Sequence, residues 1–211
     1  MLGALAGDII GSIYELHPIK TKEFPLFDWR SRYTDDSVLT VAVADTLLND
    51  AGAQRDYAAR FHAYYWRYRE AGYGRQFQSW ARSPEPRLPY QSFGNGAAMR
   101  VSPVAWAFED LDAVLAEARC TAEVTHNHHE GIKGAQATAA ATFLARRHRP
   151  RNEIRAYIEE TFGYDLRGSI DALRPSYRYD GSCQGTVPPA ILSFLEADDF
   201  EDAICNAVSL A

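Results

Sequence analysis

A run of small residues, Gly134-Ala135-Gln136-Ala137-Thr138-Ala139-Ala140-Ala141, strongly limits what this chain can fold into. It lies within a longer segment, residues 129–148, that has a helical pattern. A helix with small residues on every face has no polar side to turn towards water. The run therefore predicts a helix that is buried among other helices.

The rest of the chain has the same helical character, and no segment shows the alternation typical of a strand. In one segment aromatic residues recur every three or four positions: Tyr57, Phe61, Tyr64, Tyr65 and Tyr68. Such a stripe forms the core side of a helix, and the mixed charges around it do not favour a platform for stacking nucleic-acid bases. These patterns predict an all-α protein.

With 211 residues, the chain is long enough for a single domain, residues 1–211, with a hydrophobic core. Roughly eight to ten helices are expected. They are predicted over residues 2–15, 54–70, 110–124, 129–148, 151–163 and 186–195, with others beginning near Asp36, around Pro103 and after Asp199, the last one running to Ala211. Proline-rich stretches at 16–33 and 83–93 predict loops, and 165–185 is mostly irregular. A loop as long as 16–33 often lies over a functional site.

The charge and the cysteines narrow the class of protein. The net charge of −6 argues against general binding to nucleic acid or to anionic membranes, which favour basic surfaces. Cys120, Cys183 and Cys205 are widely spaced, as is typical of reduced, buried thiols in a cytoplasmic protein. The N-terminus has no basic segment before its apolar run, so neither a signal peptide nor a membrane span is predicted.

Carboxylates and hydroxyls are concentrated in Tyr33-Thr34-Asp35-Asp36-Ser37, directly before an apolar helical run. One interpretation is a helix N-cap, in which a side-chain oxygen accepts a backbone N–H. A cap needs one such side chain, however, and the surplus of hard oxygen atoms suits a Mg²⁺ or Mn²⁺ ion. Both interpretations remain open at this point.

Two further stretches have both a structural and a functional interpretation. Phe93-Gly94-Asn95-Gly96 begins a helical segment, and it is either a simple turn or a loop that aims amides at a phosphate. Thr125-His126-Asn127-His128-His129 invites a zinc hypothesis, but the usual ligand pattern is missing. Capping by Thr125 or Asn127 explains part of this cluster, and His126 is a possible hydrogen-bond donor to a ligand.

Several of these stretches, in their order along the chain, resemble the ADP-ribosylglycohydrolase family. They are Gly7-Asp8-Ile9-Ile10-Gly11-Ser12-Ile13-Tyr14-Glu15, Tyr33-Thr34-Asp35-Asp36-Ser37, Gly94-Asn95-Gly96-Ala97-Ala98-Met99-Arg100, Thr125-His126 and Ser182-Cys183-Gln184-Gly185-Thr186-Val187-Pro188. The resemblance implies a compact orthogonal multi-helix domain with two Mg²⁺ or Mn²⁺ ions in a cleft. It also implies hydrolysis of the bond between ADP-ribose and a protein side chain or small molecule.

The resemblance also implies roles for individual residues. Thr34, Asp35 and Asp36 are expected to bind metal, and Glu15, Asp35 and Asp36 to serve in catalysis. His126 is expected to contact ADP-ribose, and the diphosphate and distal ribose are expected to bind backbone amides in a segment made up of Gly94, Asn95, Gly96, Ala97, Ala98 and Met99. From the residues alone, Glu15 has the plainer interpretation of a surface charge.

One departure from the family pattern bears on activity. In the family, a Gly-Asp-Ser-Asp-Thr-like motif with further metal ligands follows the final helix, whereas this sequence ends at Ser209-Leu210-Ala211. We therefore expect a C-terminally truncated form with half of the metal site and an apolar face open to self-association. The alternative to an enzyme is a non-catalytic relative, comparable to the lens crystallins of this family, that binds ADP-ribose or serves structurally.

Overall fold

The alanine-rich run lies at the centre of the structure, as predicted. The computed structural model describes residues 1–15, 17–50 and 52–210, and in these ranges the chain is helical and contains no strand. The helices are α1 (Leu2–Gly11), α2 (Asp35–Asn49), α3 (Tyr57–Arg67), α4 (Arg75–Arg82), α5 (Val104–Ala107), α6 (Leu111–Glu123), α7 (His129–Arg146), α8 (Arg151–Phe162), α9 (Ile170–Leu173), α10 (Cys183–Glu196) and α11 (Phe200–Val208), with 3₁₀ turns at Gly52–Gln54 and Asn95–Ala97. The chain forms one compact all-α domain.

Helix α7 separates two hydrophobic cores. Ala135 and Ala139 face a core that also contains side chains of α2 to α6. Ala137 and Ala140 lie on the other side, in a core shared with α8 and α10. The side chains of all four alanines are inaccessible to solvent, which is why this helix carries no polar face.

Glycines let two neighbouring segments approach α7 closely. A Cβ atom at Gly134 would overlap the side chain of Cys183 on α10, and one at Gly131 would lie 2.7 Å from the carbonyl oxygen of Ser92. Real Cβ atoms do not tolerate such distances, so any larger residue would push these segments apart. The segment around Ser92 and the start of α10 are thereby held against the same helix.

Side-chain caps fix where several helices begin. The Thr34 hydroxyl accepts the amide of Asp36, so the capping interpretation of this stretch is correct. Asp199 caps α11 as expected, and Asp56, Asp110 and Ser182 cap α3, α6 and α10. Each cap satisfies an amide that the helix leaves unpaired. For α2, the cap places Asp35 and Asp36 in the first helical turn.

Some predicted boundaries were wrong. The helix predicted over 2–15 ends at Gly11 and gives way to turns, and the one predicted over 54–70 covers Tyr57–Arg67. Helix α4 was not predicted. Of the three cysteines, Cys120 is exposed on α6, although Cys183 and Cys205 are buried as expected. The last helix, predicted to run to Ala211, ends at Val208 and gives way to a turn.

Helix α10 begins at Cys183, before its predicted start at residue 186, and contains Pro188 and Pro189. A proline has no N–H to donate to the carbonyl four residues earlier, which for Pro189 is that of Gly185. The hydroxyl of Tyr177 donates to this carbonyl at 3.1 Å. A tertiary contact therefore replaces a helical hydrogen bond, which the local sequence does not reveal.

None of the described helices combines the length and the apolar character that crossing a membrane requires.

Candidate active site

Most of the predicted site residues surround one cavity of about 550 Å³. Glu15, Asp35 and Asp36 form one side, and the segment Gly94–Gly96, Met99 and His126 form the other. Sequence analysis did not assign a role to the remaining lining residues, which are Leu39, Gly72, Gly74, Arg75, Gln76, Phe77, Tyr90, Ser92, Arg100 and Tyr179. Side chains that are far apart in the sequence therefore meet where α2, the turn before α5 and the start of α7 come together.

The acidic side of the cavity holds carboxyl groups with raised pKa values. Burial, acting with the nearby charges of Glu15 and Asp8, raises the pKa of Asp35 to about 7. Burial and the charges of Asp35, Asp8 and Glu15 raise the pKa of Asp36 to about 8. The pKa of Glu15 is raised for the same reasons, burial first and Asp8 second. Four carboxyl groups thus lie close together, although Glu15 is exposed and the other three are partly buried.

Asp8 organises this side of the cavity, although its role was not predicted. Its Oδ2 accepts the amide of Thr34 at 2.8 Å, and its Oδ1 accepts the Thr34 hydroxyl at 2.6 Å. It also accepts the amide of Ser37 at 3.1 Å and the Ser37 hydroxyl. Asp8 therefore ties α1 to the first turn of α2. Its place in the N-terminal motif was the only signal in the sequence.

Thr34 is placed differently from the two aspartates. Its hydroxyl is buried and committed to Asp8, with a further contact to Asp36 at 3.3 Å, and it does not line the cavity. In the described part of the chain, no three His, Cys, Asp or Glu side chains are grouped so as to hold a metal ion. Asp35 and Asp36 are consequently hard oxygen donors that need further partners to complete a metal site.

Backbone hydrogen bonds anchor the segment Gly94–Gly96, called the glycine turn below, to the start of α10. Cys183 N donates to the carbonyl of Phe93, and Asn95 N donates to that of Gly181, both at 2.8 Å. These two bonds join the turn to the start of α10. Ala97 and Ala98 are buried in the two cores and do not reach the cavity, unlike the other residues of the segment.

Several amides of the predicted phosphate turn already have partners. Besides that of Asn95, the amide of Gly94 donates to the Ser92 hydroxyl at 3.2 Å. The amides of Ala98 and Met99 both donate to the carbonyl of Asn95. The diphosphate role of this segment stays a prediction, and it rests on fewer amides than the motif contains.

The three clustered histidines have separate positions. His126 is buried beside the glycine turn, and a Cβ atom at Gly96 would lie 2.9 Å from its Nε2. His128 caps α7 by accepting the amide of Glu130, whereas His129 is exposed. The expected caps, Thr125 and Asn127, instead bond Arg100 and the amide of Gln91. This arrangement gives no support to a zinc site.

Arg100 is the functional candidate that sequence reasoning missed. Its side chain is fully buried, and its Nη2 donates to the carbonyl of Thr121 and to the hydroxyl of Thr125, both at 2.9 Å. The guanidinium carbon lies 4.3 Å from the centre of the Phe61 ring, a favourable cation–π distance. An arginine in the otherwise apolar run Ala97–Val101 was the available signal, because a buried charge needs partners.

Comparison with known proteins agrees with this arrangement. The family model described as ADP-ribosylglycohydrolase matches residues 1–211. The chain belongs to the ADP-ribosylglycohydrolase family. This membership confirms the resemblance drawn from the separate sequence motifs.

Curated relatives of this chain include ADP-ribosylhydrolase ARH3 from several vertebrates. The Xenopus tropicalis protein is 31% identical, over 69% of this chain and 49% of its own length. The Mus musculus protein is 29% identical, over 82% and 55%, respectively. The chain thus spans about half the length of the curated relatives it matches.

A solved structure shows that the fold is shared. A chain of an ADP-ribosylglycohydrolase-related protein complex superimposes on all of this chain and on 78% of its own, with a TM-score of 0.76 and 25% sequence identity. The all-α architecture predicted for this chain is therefore confirmed by both the computed structure and its structural neighbour.

Proposed function

We propose that the protein hydrolyses the glycosidic bond that joins ADP-ribose to a modified protein side chain or to a small molecule. The supporting observation is that one cavity brings together Glu15, Asp35 and Asp36 with the Gly94–Gly96 turn and His126. Its volume of about 550 Å³ lies within the range of small-molecule sites. The shared family and the ARH3 relatives point to the same class of substrate.

The chemistry requires a group that moves protons beside the scissile bond. Water adds to the anomeric carbon as the bond to the acceptor nitrogen or oxygen breaks, and the departing atom takes up a proton. We assign the proton transfer to Glu15, because burial and the charge of Asp8 raise its pKa. A raised pKa favours the protonated form of a carboxyl group, which is the form that can give a proton to a leaving group.

Asp35 and Asp36 would hold Mg²⁺ or Mn²⁺, as two ions in a complete family site, whereas Thr34 would join them only if its hydroxyl left Asp8. The carboxylate oxygens suit a hard cation, and a cation would offset the burial and the nearby negative charges that raise both pKa values. Such an ion, when bound, lowers the pKa of a water molecule and orients a sugar diol. The described residues supply part of the ligands that two ions need.

His126 and the glycine turn suit the diphosphate end of the ligand. Burial and the charge of Arg100 lower the pKa of His126 to about 3, so its ring is neutral near pH 7. A neutral imidazole still donates one N–H. Tyr179 lines the same cavity and is mostly exposed, which gives an aromatic face near the turn.

A second candidate is an ADP-ribose-binding protein without hydrolytic activity. This candidate is favoured because the described residues contain no group of three His, Cys, Asp or Glu side chains that could hold a metal ion. In that case the cavity would bind ADP-ribose, and Glu15 would move no protons.

Peptides that carry ADP-ribose on serine or on arginine separate the two candidates. The purified 211-residue chain is incubated with each peptide in Mg²⁺ or in EDTA, and released ADP-ribose is measured. Calorimetry with ADP-ribose measures binding independently of turnover. We expect Mg²⁺-dependent release, whereas binding without release would favour the second candidate. Neither binding nor release would refute both.

A further inference from the structure

The guanidinium of Arg100 lies beside the cavity but is not satisfied by the residues around it. The described part of the chain offers hydrogen-bond partners to Nη2 but none to Nε or Nη1. A fully buried side chain with two unpaired donors carries a large desolvation cost. Arg100 contributes to the wall of the cavity, but its side chain has no solvent-accessible surface. Any effect on the site has to pass through a neighbour.

That neighbour is Thr125. Its Oγ1 lies 2.9 Å from Nη2 of Arg100 and 2.7 Å from Nδ1 of His126. A guanidinium donates and never accepts, so Arg100 occupies a lone pair of the Thr125 oxygen. The Thr125 oxygen has a second lone pair, which can accept from Nδ1–H; the buried hydroxyl would then have to give its own proton to the Tyr90 side chain. When the hydroxyl instead donates to Nδ1, the neutral ring carries its proton on Nε2.

The ring nitrogen that keeps the proton faces the glycine turn. Nε2 of His126 lies 2.9 Å from the position that a Cβ atom would take at Gly96 and 3.7 Å from that at Gly94. Both glycines line the cavity together with His126. The Nε2–H group is thus held where a ligand on the turn would present its oxygen atoms.

We propose that Arg100 is a positioning residue that acts through Thr125 to hold His126 as the Nε2–H tautomer, ready to donate to a phosphate oxygen of the ligand. This inference rests on the proposed function for the identity of the ligand. The tautomer itself is a property of the free protein. A guanidinium suits this position because it cannot accept the Thr125 proton and keeps its charge when buried.

The test pairs Thr125→Val with Thr125→Ser. Valine has the shape of threonine but no hydroxyl, whereas serine keeps the hydroxyl. Thr46→Val is the matched control, because Thr46 is also fully buried and its hydroxyl bonds only the carbonyl of Ala42 in its own helix. The tautomer of His126 is read from the ¹⁵N resonances of its ring, identified by their loss in His126→Gln. Calorimetry gives the Kd for ADP-ribose.

We expect the wild-type protein, Thr125→Ser and Thr46→Val to show His126 protonated on Nε2. Thr125→Val should show a mixture of tautomers and an affinity for ADP-ribose weakened about tenfold, which corresponds to about 1.4 kcal/mol. Arg100→Met should give the same spectral change, and an unchanged tautomer in the folded variant would refute the role of Arg100. If Arg100→Met does not fold, Arg100→Gln takes its place, because the glutamine oxygen can accept the Thr125 proton and should likewise give a mixture of tautomers.

Wild-type His126 protonated on Nδ1 would overturn the inference, as would Thr125→Val with an unchanged tautomer and Kd. A change of tautomer in Thr125→Val, in a wild-type protein that binds no ADP-ribose, would support the relay and refute the proposed function instead.

Discussion

The two sides of the cavity bury polar groups in opposite ways. On the acidic side, Asp35 and Asp36 are close to other carboxylates, and their pKa values rise because like charges and burial both disfavour ionisation. On the other side, His126 is bonded to Thr125, which is bonded to Arg100. The second side is a connected network of neutral and cationic groups within the protein. The cation proposed above would compensate the negative charge of the first side.

This difference suggests a division of labour. Groups whose pKa values are strongly shifted are typical of sites that move protons or bind metal ions. A hydrogen-bonded network with fixed donors instead suits the orientation of a ligand. The following predictions test whether the two sides separate chemistry from binding in this way.

Glu15→Gln should have the largest effect. We expect turnover to fall by about 10²–10⁴-fold, the range for a positioned acid or base, because glutamine keeps the shape but moves no proton. The melting temperature and the Kd for ADP-ribose should change little. Glu153→Gln on α8 is the control, since Glu153 is partly exposed and paired with Arg149. A loss of thermal stability with unchanged activity of the folded fraction would make Glu15 a structural residue.

Mg²⁺ or Mn²⁺ should stabilise the folded protein through the acidic side. At a concentration one hundred times the Kd, a ligand that binds only the native state adds about 2.7 kcal/mol to the free energy of unfolding. Asp36→Asn should abolish this gain, which denaturant titration with and without metal would measure. His126→Gln should retain it. Equal stabilisation of Asp36→Asn and wild type would place the metal elsewhere.

Gly96→Ala should weaken ligand binding at the side of the cavity formed by the glycine turn and His126, without affecting the acidic side. The added methyl group would meet His126 Nε2 at 2.9 Å, and overpacking of this kind costs about 1–3 kcal/mol. We expect weaker binding of ADP-ribose and undiminished stabilisation by metal. Gly11→Ala is the control, because a Cβ atom there meets nothing within 4 Å. If both variants bind ADP-ribose like the wild type, the close approach of His126 to the turn has no role in binding.

His126 should give the smallest effect, as a dependence of stability on pH. Its pKa is about 3 in the folded protein and near 6.5 in the unfolded chain. As the pH falls below 6.5, the unfolded chain therefore takes up a proton at His126 that the folded protein does not, and the free energy of unfolding decreases. His126→Gln should therefore lose less stability than the wild type between pH 7 and 5.5, by about 1 kcal/mol. Urea titrations of both proteins at the two pH values would show this, and parallel profiles would contradict it.

The central helix and the acidic cluster could be predicted from the sequence because their signals are local. Small residues on every face of residues 134–141 left no solvent side for the helix. Hydroxyl and carboxyl groups before an apolar run marked the start of α2, and the family motifs drew attention to Glu15 and His126. The structure shows that Glu15, Asp35, Asp36 and His126 line one cavity, which no local pattern reveals.

Contacts between distant segments could not be predicted in this way. Arg100 meets Thr121 and Thr125 because α6 passes over it, and nothing near Arg100 in the sequence shows this. Helix α10 contains two prolines, and the hydroxyl of Tyr177, outside the helix, satisfies a carbonyl that proline leaves open. In both cases the deciding partner lies outside the element that it stabilises.

The two backbone bonds between the glycine turn and the start of α10 have a mechanical consequence. Because Cys183 N and Asn95 N pin the turn from two directions, it cannot swing open without pulling on a helix packed in the second core. A stiff receptor loses little conformational entropy when its ligand arrives. If the proposed function holds, the protein should adjust to substrates with different acceptor groups at the opposite rim, where Glu15 follows the end of α1. The proposed contacts with the diphosphate should be the same for each substrate.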